Sequence, residues 1–383
     1  VLSLRRFITH AAGVGLMRVS ELKPQERIPR VKLRTSHFRL AVVASALMSA
    51  AEAAMASSPT SIFSELSTPA QQENGLAFFV LGICAVIFVS VAGLLVYAMW
   101  KFRAKKTDTQ QEPPQVFGSV QIELSWTIIP ILIVVVLFLG TARVLFSVQD
   151  APKPKNALDV TAVGHQYWWE YHYPQYGVAV ANELHIPVAT GDGGRTTYIK
   201  LTSADVIHSF WIPQLGGKTD MLPNRVNEMW LDPKKTGEYL GQCGQFCGAE
   251  HAKMLLRVYV DTPEQFAAWI AGQQKTQAEL TAATATSTDD AIDAATGQRV
   301  FEQQACINCH TVQGTMANGR FGPDLTHLAS RKTLASGAMD NTPENLKAWI
   351  ADPSQFKPGC LMPAMHLTDK QNAQITAYLE TLK

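Results

Sequence analysis

Two unbroken apolar runs, residues 76–100 and 126–142, limit what this chain can fold into more than any other feature of it. A helix needs about 20 apolar residues to cross the hydrocarbon core of a bilayer, so both runs read as transmembrane helices, the second slightly short. The hairpin they form takes residues 70–150, with helices at about 76–100 and 124–146. Lys101, Arg103, Lys105 and Lys106 lie between the runs. By the positive-inside rule this connection is cytoplasmic, and everything after about Arg143 lies on the outer, periplasmic side of a cell membrane. Glu123 sits one turn before Trp126 at the membrane edge. A carboxylate there is expensive unless hydrated or paired, so Glu123 is a functional candidate, with a solvated loop residue as the plainer reading. Pro130 is expected in the opening turns of the second helix, where a missing N–H costs least.

Upstream, residues 1–36 are basic, lack apolar periodicity and are assigned no structure. Arg34 and Arg39 then precede an apolar stretch at 40–50 and small-residue sites such as Ala54-Met55-Ala56. That order makes 37–56 a candidate signal peptide, with a short buried helix as the alternative. A formal net charge of +1 leaves no electrostatic footprint for nucleic acid.

From 157 to 261 the chain turns to short β-rich runs, at 197–202, 227–231 and 255–260, separated by Gly, Pro and Asp. Leu256, Val258 and Val260 alternate with Arg257, Tyr259 and Asp261, as a strand with one buried face requires. A small antiparallel barrel or sandwich fits. Residues 263–274 read as a brief helix, and 276–288 as an Ala/Thr-rich linker. A second, helical domain starts near Asp290: Thr342 precedes Pro343 and Glu344, and Thr368 precedes a face of Ile375, Tyr378, Leu379 and Leu382. No internal repeat, phosphate-cradling glycine loop or nucleophile triad is found.

Four of the six cysteines fall in two tight pairs. The first lies in Cys243-Gly-Gln-Phe-Cys247-Gly-Ala-Glu-His251-Ala-Lys-Met254, directly before a strand, with His208 about thirty-five residues upstream. Two thiolates, two imidazoles and a thioether form a soft ligand set suited to copper. A single blue-type copper uses two histidines, one thiolate and a weak axial methionine, which leaves a thiolate over. Two sulfurs bridging two copper ions would give each ion one terminal histidine, with Met254 and a backbone carbonyl completing the shells. A structural zinc site of Cys243, Cys247, His251 and His208 is the rival, and it gives Met254 no part. A Cys243–Cys247 disulfide is the third reading. The second pair, in Cys306-Ile-Asn-Cys309-His310, has the C-x-x-C-H form of covalent haem attachment, with His310 reaching the iron. Met362, followed by Pro363, is the expected sixth ligand and Met365 its reserve. Cys84 and Cys360 are expected to be inert buried thiols.

Gly164-His165-Gln166-Tyr167-Trp168-Trp169, the segment SADVIHSFWIP at 203–213, Lys218-Thr219-Asp220, the Cys/His/Met loop and Glu123-Leu-Ser-Trp126-Thr-Ile-Ile-Pro130 resemble cytochrome c oxidase subunit II over roughly residues 70–262. The resemblance implies a cupredoxin-like barrel at 156–262. Its binuclear copper centre would be held by His208, Cys243, Cys247, His251, Met254 and the carbonyl of Gln245. In the family that carbonyl position usually belongs to a glutamate whose side chain reaches a magnesium ion at the interface with subunit I; with Gln245 the copper ligation survives and the magnesium carboxylate does not. The usual electron-accepting tryptophan position is held by Tyr167. Tyr167 and Trp168 are therefore the candidates for electron uptake, with strand packing as the bland alternative. Glu123 matches the family's carboxylate at the mouth of a proton channel into subunit I.

Residues 290–383 resemble a class I cytochrome c fused to that subunit, with Gly322-Pro323-Asp324-Leu325 matching the segment whose proline carbonyl fixes the proximal histidine. The implied chain is multidomain: a two-helix transmembrane hairpin, an all-β cupredoxin-like barrel, a short helix and linker at 263–289, and an all-α cytochrome c domain. Its implied cofactors are two copper ions and one covalent haem c. Its implied partners are oxidase subunits I and III, a cytochrome c or upstream cytochrome complex as donor, and the lipid bilayer. Electrons would pass through haem and copper to subunit I, where oxygen is reduced to water with proton pumping. The electron-accepting subunit of a copper-containing nitric oxide reductase is an alternative. A membrane-anchored copper chaperone is another, against which the C-x-x-C-H tail argues.

Overall fold

The computed structural model describes residues 58–103, 117–275 and 288–383. The basic N-terminus, the candidate signal peptide, Lys105, Lys106 and residues 276–287 of the expected linker lie outside the described residues.

Helices α1 (Thr68–Lys101) and α2 (Val120–Gln149) carry the two apolar runs. Their large apolar side chains, among them Phe88, Leu94 and Leu132, are exposed, as lipid-facing side chains are. Both helices outrun their apolar stretches. Capping sets the start of α1: the Ser67 hydroxyl accepts from the Ala70 N–H at 3.2 Å, and Pro69 occupies the first turn. The placement of Pro130 in opening turns is corrected, because α2 begins at Val120 and Pro130 lies inside it. The Trp126 carbonyl thereby loses its helical partner, a defect that membrane helices accommodate.

The hairpin is pinned to the next domain by hydrogen bonds at the ends nearest it. Ser67 Oγ donates to the Leu215 carbonyl at 2.6 Å, the Thr68 N–H donates to Asp232 Oδ1 at 2.7 Å, and Trp230 Nε1 donates to the Val148 carbonyl at 2.6 Å.

Ten strands follow: β1 (Leu158–His165), β2 (Trp168–Tyr173), β3 (Val178–Ala181), β4 (Glu183–Pro187), β5 (Thr197–Ser203), β6 (His208–Trp211), β7 (Thr219–Met221), β8 (Asn227–Leu231), β9 (Gly237–Cys243) and β10 (Leu255–Asp261). They form two five-stranded sheets, β3-β2-β1-β5-β8 and β4-β10-β9-β6-β7. Trp169, Tyr171, Phe210, Leu256 and Val258 belong to the core between them. The antiparallel expectation needs amending, since β1/β5 and β4/β10 pair in parallel. Along β10, Leu256, Val258 and Val260 are buried as the alternation predicts, but so is Tyr259 on the other face. There the ammonium of Lys332, from the C-terminal domain, lies 4.2 Å from the Tyr259 ring centre, and His185 stacks at 4.8 Å. Helix α3 (Pro263–Gln273), opened by a Thr262/Gln265 capping box, buries Phe266 and Ile270 in the same core.

The C-terminal domain consists of α4 (Thr288–Gln303), α5 (Cys306–Cys309), the two-residue strands β11 (Thr333–Leu334) and β12 (Met339–Asp340), α6 (Pro343–Ala351) and α7 (Asp369–Leu379). Its helices match the all-α expectation, and the β11/β12 pair is an addition to it. Phe301, Ile375, Tyr378, Leu379 and Leu382 share its core. Helices α4 and α7 touch where Gly297 has no side chain: a Cβ there would fall 2.0 Å from the Gln374 carbonyl oxygen and 2.8 Å from Tyr378 Cβ. Gly297→Ala must push the two helices apart, and overpacking of this kind costs about 1–3 kcal/mol. Thermal unfolding of the variant should show a lower transition for the C-terminal domain and an unchanged one for the barrel; an unaltered C-terminal transition would show that the crossing has slack.

Candidate functional site

Three neighbouring strands deliver the first cluster. His208 opens β6, Cys243 ends β9, and the loop from Cys243 returns through Cys247, His251 and Met254 to β10. Phe210 pairs with Cys243, and Leu255 pairs with Gln242. The Cys243 N–H donates to the Met254 carbonyl at 3.0 Å, closing the loop at its base. His208, Cys243, Cys247 and Met254 are all buried.

The sulfurs of Cys243 and Cys247 stand 4.0 Å apart, about twice a disulfide length, and both thiols are free. His208 Nδ1 lies 3.9 Å from Cys243 Sγ, and His251 Nδ1 lies 3.6 Å from Cys247 Sγ. Met254 Sδ lies 3.8 Å from Cys247 Sγ, and the Gln245 carbonyl 3.2 Å from Cys243 Sγ. Each sulfur thus has its own histidine. The donor atoms of His208, Cys243 and Cys247 lie within 4.8 Å of one another. The Gln245 side chain is exposed.

Two details of the surroundings prepare the histidine. Gly164 lies against His208, where a Cβ would come within 2.9 Å of the ring. On the far side of the ring, Nε2 is held by Asp205 Oδ1 at 2.8 Å, which turns Nδ1 toward the sulfurs. Burial alone would lower the His208 pKa, but Asp205 and Cys243 raise it above the usual value. The thiols are in conflict. Hydrogen bonding from Cys247, aided by His208, lowers the Cys243 pKa, and the same closeness raises that of Cys247. A buried thiol pair that readily gives up only one proton lacks compensating positive charge. Copper ions suit it, being cations that take thiolate, imidazole and thioether together.

The second cluster lines a cleft between the C-terminal domain and the barrel. Cys306, Cys309, His310, Pro323, Met362 and Met365 form its C-terminal side. Gln166, Tyr167 and Trp168 close it from the β1–β2 connection. His310 Nδ1 is 2.8 Å from the Pro323 carbonyl, the contact expected of a proximal ligand. Burial pushes His310 below the ordinary imidazole range, so it is neutral, as a metal ligand must be. An apolar cleft with two thiols and an oriented imidazole at its wall suits haem. Met362 and Met365 both line it, so the cleft itself does not rank them. The view of Cys360 and Cys84 as buried thiols is corrected: Cys360 is half-buried in this cleft, its Sγ 3.5 Å from the Met362 carbonyl, and Cys84 is exposed on α1.

Tyr167 and Trp168 sit between the two clusters. The Tyr167 hydroxyl accepts from the Ala249 N–H at 3.0 Å, and Gln166 Nε2 donates to the Cys247 carbonyl at 2.6 Å. Trp168 stacks on His165 at 4.1 Å. Glu123 joins neither cluster. It lies in the first turn of α2, at the opposite end of that helix from Val148 and the barrel. Sequence reasoning gave no role to Asp205, although it stands three residues before His208 within a quoted motif, and it missed Gln166 as a link to the loop.

The family described as cytochrome c oxidase subunit II, transmembrane domain, matches residues 57–143, and its periplasmic domain matches 178–260. Cytochrome c matches residues 294–383. Cytochrome c oxidase subunit 2 of Alkalihalophilus pseudofirmus is 34% identical over 79% of this chain and 86% of its own length. That of Bacillus sp. strain PS3 is 34% identical over 74% of this chain and 80% of its own length. The crystal structure of the periplasmic domain of subunit II of the cytochrome oxidase of Bradyrhizobium japonicum is 32% identical, covering 32% of this chain and 97% of that one, with a TM-score of 0.30. The periplasmic-domain match implies copper and the cytochrome c match implies haem. Two membrane-type helices, a β-rich half-barrel with clustered sulfur and imidazole donors, and a C-terminal cytochrome c domain therefore place this chain in the cytochrome c oxidase subunit 2 family, as part of an oxidoreductase complex.

Proposed function

We propose that this chain takes up electrons for a respiratory haem-copper oxidase, with two copper ions bound at the Cys243/Cys247 loop and one haem c bonded to Cys306 and Cys309. The observation that carries the reading is the pairing of each buried sulfur with its own histidine, His208 with Cys243 and His251 with Cys247. When bound, the copper pair and the haem supply one-electron carriers through which electrons from a cytochrome c or an upstream cytochrome complex reach haem in subunit I, the site of oxygen reduction and proton pumping.

The chain's own residues hold and orient these groups. Cys243, Cys247, His208, His251, Met254 and the Gln245 carbonyl would hold the two coppers, with thiolate, imidazole and thioether donors that suit that metal. A zinc site would leave Met254 unused. Asp205 fixes the His208 ring, as carboxylates do for ligating histidines. In the cytochrome c domain, proposed at 290–383, His310 and Met362 would hold the haem iron, with the Pro323 carbonyl fixing the His310 tautomer. Tyr167 and Trp168 form the wall across which electrons come in. Glu123 takes up protons at the end of the hairpin that carries Lys101 and Arg103, a basic end that belongs in the cytoplasm, so the copper domain (156–262) and haem domain face outward. Subunits I and III are its neighbours in the bilayer. Relatives named as oxidase subunits favour this reading over a nitric oxide reductase.

Metal and haem analysis of the purified chain should return two coppers and one covalently bound haem; zinc, a single copper or extractable haem would overturn the assignment. Met254→Leu should alter the copper absorption and potential and leave the haem spectrum unchanged, while His310→Ala should do the reverse. If either substitution disturbs both spectra in a folded protein, the centres are not independent. Asp205→Ala frees the His208 ring and should weaken copper binding by about 10–100-fold, measured by competition with a chelator, without altering the haem.

A further inference from the structure

The cytochrome c domain meets the barrel through specific polar contacts, and one of the side chains involved belongs to neither centre. Glu183 opens β4, an edge strand, and is only 4% exposed. Its carboxylate accepts from the Lys332 N–H at 2.9 Å, the Thr333 N–H at 2.8 Å and the Thr333 hydroxyl at 2.9 Å, all in the cytochrome c domain. A buried carboxylate is costly to leave without donors, so these charge-assisted bonds tie β4 to β11 more firmly than a surface ion pair could.

Further contacts bracket the copper loop. Next to Met254, the Leu255 N–H donates to the Ser336 carbonyl at 3.2 Å, and Ser336 Oγ donates back to the Leu255 carbonyl at 3.1 Å. Next to His251, Glu250 Oε1 accepts from the Gly359 N–H at 3.1 Å. Lys357, 3% exposed, donates from Nζ to the Tyr167 carbonyl at 3.1 Å. Burial holds Lys357 down to about 8, which still leaves it mostly charged at neutral pH.

We infer that Glu183 is a positioning residue for electron transfer: it holds the haem domain on the barrel in one pose, so that electrons cross from a fixed dock and do not wait for a tethered domain to find its place. The inference rests on the proposed haem and copper sites and adds the pose between them. Electron tunnelling falls steeply with distance, so a domain that left this pose would slow the internal step while leaving the external one alone.

Glu183→Gln keeps the shape but removes the charge and one acceptor. In the full-length protein with both centres loaded, hydrogen exchange at 332–337 and 255–257 should quicken together by about tenfold or more, with α7 and β5 unchanged. Electron transfer from photoreduced haem to copper should slow by about tenfold, while reduction of the haem by an external donor keeps its rate. Intact haem and copper spectra with unaltered exchange and internal rate would sink the dock. Absence of those spectra from the unaltered protein would instead sink the site assignments. Should Glu183→Gln fail to fold, Thr333→Val removes a single hydroxyl donor and should shift both readings in the same direction by a smaller factor. Rapid exchange of the Lys332 and Thr333 amides in the unaltered chain would overturn the inference by itself.

Discussion

Two buried thiols 4.0 Å apart on a loop closed at its base set the terms for the part of this molecule that follows the hairpin. Ionising both of them there is costly unless cations answer the charge. The barrel makes that concentration of donors tolerable by rigidity: His208 opens β6, Cys243 ends β9, and Cys247, His251 and Met254 lie on the loop that joins β9 to β10, strands that are neighbours in one sheet and locked in register. A site fixed in this way changes little when an electron arrives or leaves, which is what a carrier needs and what a metal-exchange protein must avoid.

The barrel is fixed in turn to the hairpin. Residues 66–68 run along it, with the Leu66 N–H donating to the Gln214 carbonyl at 3.2 Å and the Lys234 N–H to the Leu66 carbonyl at 2.8 Å. Asp232 receives the Thr68 N–H and also pairs with Lys234. A helix N-terminus offers unsatisfied N–H groups, and a carboxylate placed there answers both the dipole and the hydrogen-bond deficit. The position of the barrel, and with it the Cys243–Met254 loop, relative to the neighbouring ends of α1 and α2 is therefore set by hydrogen bonds, not by a flexible connection.

Much of this was legible in the sequence, for identifiable reasons. Apolar run length announced the hairpin, strand alternation announced β10, and Thr-Pro and Thr-Asp caps announced α6 and α7, because each signal is local. The donor set was legible because Cys243 to Met254 lie within one loop. What failed to show depended on distant partners. Tyr259 sits on a face that alternation assigns to solvent, and the arrival of Lys332 and His185 beside its ring accounts for its burial. Asp205 and Glu183 look like ordinary surface acids until His208 and Thr333 stand beside them. Pro130 was misplaced because residues 120–125, which alternate apolar Val120, Ile122 and Leu124 with polar Gln121, Glu123 and Ser125, continue the helix beyond its unbroken apolar run, and composition alone cannot mark where a helix begins.

A domain tethered beside its target already has a high effective concentration, so hydrogen-bonded docking adds little to the frequency of encounter. Its contribution lies in orientation. The cleft has one side walled by Gln166, Tyr167 and Trp168, and at its lip Phe321 and Leu361 are 62% and 50% exposed. Apolar side chains exposed beside a polar surface are the kind that weak, short-lived protein encounters use. One side of the cleft is thus committed to the barrel while the other stays open to solvent. On the proposed function, electrons would come in at the open lip and leave for the barrel through the closed wall with no domain motion between the two steps, and a domain free to turn would lose that directionality.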